Sequence, residues 1–174
     1  MTTLPGEEPV ATLGADANYA CGTWRSFYFI LWRVQTELAA CQHVHRTMYE
    51  FGPKHPEGIG LMTIVEASAP MPPAASRNEL AATLKGATFI QASAVAFEGE
   101  GFRAASVRAV VTGLTAMAKQ PFPHKVFAKV GDASLFLADQ LHSGAAKGIR
   151  GAQLMRIVED WRDRLNRDVP KAKP

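Results

Sequence analysis

The stretch FEGEGFRAASVR, Phe97 to Arg108, puts Gly99, Gly101 and Ala104 at the spacing of a Gly-x-Gly-x-x-Ala turn. In that arrangement backbone N–H groups and a helix N-terminus cradle a pyrophosphate. A strand-like run precedes it and a helical run follows. Three features oppose dinucleotide chemistry. Glu100 sets a negative charge inside the turn that would meet phosphate, no Asp or Glu occurs between Glu100 and Asp132 to hold a ribose, and the turn comes late rather than after the first strand. The glycines are therefore read as serving a sharp strand-to-helix reversal with room for positive φ, and no cofactor is expected.

Cys41, His43 and His45 are the one cluster of metal-ligand types. On a strand all three would share a face, but the local periodicity is helical, which separates His43 from the other two and leaves no acidic partner. No metal is expected. A hydrolase elbow of the Gly-x-Ser-x-Gly kind is absent, and His55, His124 and His142 fall in loops or at helix ends. Glu98 and Glu100 flank one turn and read as solvated at a strand's end. Nothing here nominates a catalytic residue.

The elements that would position such groups alternate along the chain. After a flexible start (1–9), short extended stretches at Val10 to Leu13 and Tyr19 to Cys21 lead into SFYFILWRV, Ser26 to Val34, an interior strand apolar on both faces. Val34, Leu38, Cys41, His45 and Met48 then recur at helical spacing until Gly52-Pro53. IGLMTIVEA, Ile59 to Ala67, is a second interior strand. A proline-rich connection follows, and Ser76-x-x-Glu79 is read as a capping box opening a helix to about Lys85. Thr88 to Phe97 alternates, with Ile90, Ala92, Ala94 and Ala96 forming a small-residue face on which a helix could dock closely.

A helix is expected from about Phe102 to Lys119, a short strand over Lys125 to Val130, and a helix over Ala133 to Leu141 with Asp132 as its N-cap. The 143–151 segment reads as a glycine-rich hinge. Beyond it, 152–167 is an amphipathic helix with Leu154, Ile157, Val158, Trp161 and Leu165 on one face, and 168–174 is a flexible tail. Repeated strand–helix alternation implies parallel strands joined by right-handed crossovers.

Composition bounds the function. Hydrophobic residues at 47% and charged residues at 20% of 174 suit one globular domain, and a net charge of +3 without a basic stripe argues against nucleic acid. The acidic N-terminal stretch is unlike a signal peptide, and the longest apolar run, Phe27 to Trp32, falls far short of the roughly 20 residues needed to span a bilayer. Neither secretion nor membrane insertion is expected. Cys21 and Cys41 read as free thiols in a reducing cytoplasm.

This order of elements resembles the STAS or SpoIIAA-like domains of bacterial anti-sigma-factor antagonists. The resemblance is carried by the strand Ile59 to Ala67 running through prolines to Ser76-Arg77, the strand Ser93 to Phe97 turning at Gly99 to Gly101 toward Arg103 and Arg108, and KVFAKVGDASLFL. It covers about Val10 to Leu141 and implies an α/β fold: a mostly parallel sheet of four to five strands with crossover helices, here followed by an appended C-terminal amphipathic helix.

The family implies a non-enzymatic regulatory module that docks on a protein partner, in some members controlled by phosphorylation of a serine at a helix start. Ser76 is the candidate here, although the Asp-Ser pair typical of the antagonists is missing at Glu66-Ala67-Ser68. The sequence thus predicts protein association, with a partner or a second copy, through Leu154, Ile157, Val158, Trp161, Leu165, Arg103 and Arg108. The alternative is a small-ligand or lipid-binding module using the apolar interior near Phe27, Phe29 and Leu31; a nucleotide-dependent enzyme ranks below both.

Overall fold

A computed structural model of the chain describes residues 8–99 and 121–171. Its frame is a six-stranded sheet whose spatial order follows the chain: β1 (Ala11–Ala15), β2 (Tyr19–Trp24), β3 (Phe27–Trp32), β4 (Ile59–Val65), β5 (Ile90–Phe97) and β6 (His124–Phe127). The first three pair antiparallel and the last four parallel. The mostly parallel α/β architecture agrees with the sequence reading, but the strand count is six rather than four to five, because both short N-terminal stretches pair as full members of the sheet. Asp16 makes the first reversal: its Oδ1 accepts from the N–H groups of Asn18 and Tyr19, at 2.7 and 3.0 Å.

Two layers of helix cover the sheet. On one face lie α1 (Leu38–Phe51) and α2 (Ala74–Gly86), on the other α3 (Val130–Gln140) and α4 (Gly151–Asp168). β3 explains the division. It is buried along its whole length, with Tyr28, Ile30 and Trp32 turned to α1 and Phe27, Phe29 and Leu31 turned to the other layer. The small-residue face of β5 holds in part: Ala92, Ala94 and Ala96 are completely buried against the core that holds α3, while Ile90, on the far side of a register irregularity, packs in the α1 layer instead.

Several local readings are corrected. In α1 the buried stripe runs through Ala40, Cys41, Val44 and Met48, and Leu38 is 40% exposed, so the helix is rotated from the expected face. α2 starts at Ala74 behind Pro73, two residues before Ser76, so the Ser76–Glu79 capping box does not form. α3 starts at Val130, which puts Asp132 in its first turn rather than at its N-cap. The helix expected over Phe102 to Lys119, with Arg103, Arg108 and Gly101, lies outside the described residues.

The largest correction concerns the C-terminal helix. Leu154, Ile157, Val158, Trp161 and Leu165 are not a docking surface; all five are buried against the chain's own sheet. Trp161 is wholly buried, its ring centroid 6.0 Å from that of Phe29, and its Nε1–H donates to Thr12 Oγ1 at 3.0 Å. Gly22 makes room for it, since a Cβ there would stand 2.8 Å from the Ala11 carbonyl oxygen and 3.2 Å from the indole. The expected hinge is a built turn: Ala146 and Ile149 are buried in the same core, and Gly144 and Gly148 supply positive φ. No helix among the described residues is long and apolar enough to cross a membrane.

Trp161→Ala would remove the largest fully buried side chain and is expected to cost about 3–5 kcal/mol, seen as a lower urea midpoint.

Candidate functional site

In open α/β sheets ligands collect beyond the carboxyl ends of the parallel strands, and here two features meet at that edge. The first is a row of charge. Register pairs Trp32 with Val65 and Val65 with Phe97, so the next residues, Arg33, Glu66 and Glu98, follow side by side from three adjacent strands. From α4, Arg162 grips Glu98 with two hydrogen bonds, Nη1 to Oε1 at 2.8 Å and Nη2 to Oε2 at 2.7 Å, and reaches Glu159 at 3.2 Å and Glu66 at 3.4 Å. Lys171 forms a second ion pair with Glu66.

Arg33 is completely buried and donates to the carbonyl oxygens of Asp16 and Val169 and to Asn166 Oδ1, tying the end of α4 to the β1–β2 turn. Burial pulls the Arg162 guanidinium toward the neutral form, but the hydrogen bond and charge of Glu98, with Glu159 and Glu66, more than offset this and raise its pKa. Burial pushes Glu159 up despite its contact with Arg162, since that guanidinium is mostly committed to Glu98 and the Glu98 charge adds to the effect. Three carboxylates and three cations leave the row neutral. It acts as a clasp holding α4 to the sheet.

The second feature is a cavity of about 450 Å³ between the sheet and the α1–α2 layer. Ile30, Trp32, Leu61, Thr63, Val65, Val95 and Phe97 form its floor, Val44 and Met48 of α1 and Leu80, Thr83 and Leu84 of α2 its walls. The loop from Ala67 to Pro72, with Glu98 and Gly99, makes the rim at the charged edge. Gly99 has φ of +131°, so the chain leaves β5 through a conformation that a side chain would strain.

His124, the first residue of β6, also lines the cavity. Both of its ring nitrogens are shut off from water, and neither has a hydrogen-bonding partner among the described residues. Burial pulls its pKa below the ordinary 6.5 and keeps the ring neutral.

The other sequence candidates disperse. Ser76 is 1% exposed and donates to the Thr36 carbonyl oxygen at 2.7 Å, so its hydroxyl is committed and sheltered from modification in this conformation. Cys41 is buried, and burial pushes its thiol up to about 11. His43 lies 3.3 Å from the Leu13 carbonyl oxygen, while His45 sits 2.9 Å from Thr83 Oγ1 and stacks on Tyr49. No group of three or more metal-ligating side chains is assembled among the described residues. Phe27, Phe29 and Leu31, expected to line a ligand site, are instead packed under α4, and the open volume lies on the opposite face.

Sequence reasoning missed Glu98, expected to be solvated, and Arg162, counted only as part of a polar face. The signal was present in two glutamates each one residue past a parallel strand, an arrangement that calls for a cation. It missed His124 because a histidine after Pro123 reads as loop.

Comparison with protein-family models, with curated proteins and with solved structures gave no match. The reading of the site therefore rests on its geometry.

Arg162→Met would strand Glu98 beside Glu66 and leave the pair of carboxylates only Lys171. It is expected to destabilise the protein toward the lower end of the roughly 3–5 kcal/mol lost when a buried pair is broken, by chemical denaturation, and more than Glu159→Gln does. Because the folded protein keeps His124 neutral to lower pH than the unfolded chain does, its contribution is fully present above pH 6.5 and is lost as pH falls from there through the folded pKa. Wild-type stability should fall as pH drops below about 6.5, and His124→Phe should make the fall shallower; burial of His55 acts with the same sign and sustains the remainder.

Proposed function

We propose that this chain is a non-enzymatic module that binds a small apolar ligand in the cavity between α1, α2 and strands β3 to β5, built on a domain of the STAS or SpoIIAA-like type. The single observation carrying the binding reading is the cavity itself. At about 450 Å³ it lies within the roughly 300–1,000 Å³ of small-molecule sites, its lining is dominated by aliphatic and aromatic side chains, and a few polar groups converge on it. The fold reading is supported by the antiparallel start, the parallel strands β3 to β6 in chain order, and α1 and α2 on one face of the sheet.

Binding without chemistry fits the groups near the cavity. The Thr83 hydroxyl beside His45 donates to the Glu79 carbonyl oxygen at 2.8 Å, and the Cys21 and Cys41 thiols are raised by burial, which makes them poor nucleophiles. The association reading loses its physical motive on the C-terminal helix, whose apolar stripe is occupied within the chain.

Purified protein is expected to take up an uncharged fluorescent dye such as Nile red saturably, at one molecule per chain. Filling the floor with Val95→Trp or the wall with Leu84→Trp takes the space the dye needs and should weaken uptake at least about tenfold, while circular dichroism stays native because overpacking costs only roughly 1–3 kcal/mol of stability. Uptake unchanged in both folded variants would overturn the reading.

A further inference from the structure

The polar groups on the cavity's lining specify the chemistry of its occupant, an inference that rests on the cavity being a ligand site. Thr63 stands in the middle of β4 on the cavity floor, and its hydroxyl makes no hydrogen bond with a described residue. His124 lies on the neighbouring row of the sheet, paired in register with Ser93, and lines the same space with a ring whose two nitrogens have no hydrogen-bond partner among the described residues. At the rim, both oxygens of Glu98 are held by Arg162. The lining thus offers two uncharged groups with hydrogen bonds to give, and one carboxylate already neutralised from outside.

We propose that the occupant is an uncharged amphiphile, an apolar body carrying an alcohol or amide head, and that His124 receives that head. A neutral imidazole has one donor and one acceptor, which an alcohol or a primary amide can satisfy together. Leaving both unmade in an apolar surrounding is costly, so the folded protein holds an unspent hydrogen-bonding capacity that such a head recovers. The nitrogens are shut off from the open volume as the ring stands, so binding requires the ring to turn about its Cβ–Cγ bond to meet the head. Charge of either sign would have to leave water for a pocket whose nearest ion pair is already closed.

Competition against Nile red tests this with four probes of equal chain length: octanol, octanamide, octyl bromide and octanoate, at about pH 8 where octanoate is ionised. For the wild type, octanoate should be the weakest competitor. His124→Leu should weaken octanol and octanamide by roughly tenfold, the worth of about one hydrogen bond, and leave octyl bromide unchanged; His124→Gln should restore part of the loss. The proposal is overturned if octanoate competes as well as octanol, or if neither His124 variant changes the ratio of alcohol to bromide. Absence of any saturable dye uptake by the wild type is a different result, and it overturns the cavity reading itself.

Discussion

The indole of Trp161 is the contact on which the rest of the structure depends. It lies between Phe29 and Thr12 in the space that Gly22 leaves open, and so seats α4 on the antiparallel end of the sheet. Without that seating, Phe27, Phe29 and Leu31 would face water, and an exposed aromatic face of this kind would call for a partner. With it, the sheet is closed on one side by its own chain. The charged row at the strand ends then fixes the helix along its axis: Arg162 holds it to β4 and β5, and Arg33 holds its last turn to β3 and the first reversal.

The two faces of the sheet differ because their helices bring different side chains. α4 carries Leu, Ile, Val, Trp and Leu onto a floor of Phe and Leu, and the layer fills. α2, AASRNELAATLKG, brings two leucines as its only large apolar residues, over a floor of Thr63, Val65 and Val95. The side-chain volume between α2 and β4–β5 falls short of the space, and the cavity is what remains. Volume is therefore the common cause of tight packing on one side and of a candidate site on the other.

Most of the frame could be read from periodicity. The unbroken apolar run of β3, the alternation of β5 and the 3.6-residue stripe of α4 each impose a burial pattern that tertiary contacts respected. What the stripe of α4 could not show is its counterpart, since an amphipathic face reads the same whether it is covered by its own sheet or by another chain. Ser76 misled for a related reason: Ser-x-x-Glu is a local signal, and Pro73 had already started the helix while the Thr36 carbonyl claimed the hydroxyl. The site was less legible still. Glu66, Glu98 and Arg162 are brought together by strand register and by a contact spanning 64 residues of chain, and a cavity is a deficit of volume that no single residue announces.

The Trp161 to Thr12 bond joins positions 149 residues apart, and Arg33 to Val169 spans 136. The β2–β3 hairpin therefore leaves a ribosome well before the helix that covers its aromatic face. Such long-range closure makes folding slow and late, and leaves β2 and β3 open to mispairing in the meantime. During synthesis, this stretch is the one that would engage a chaperone.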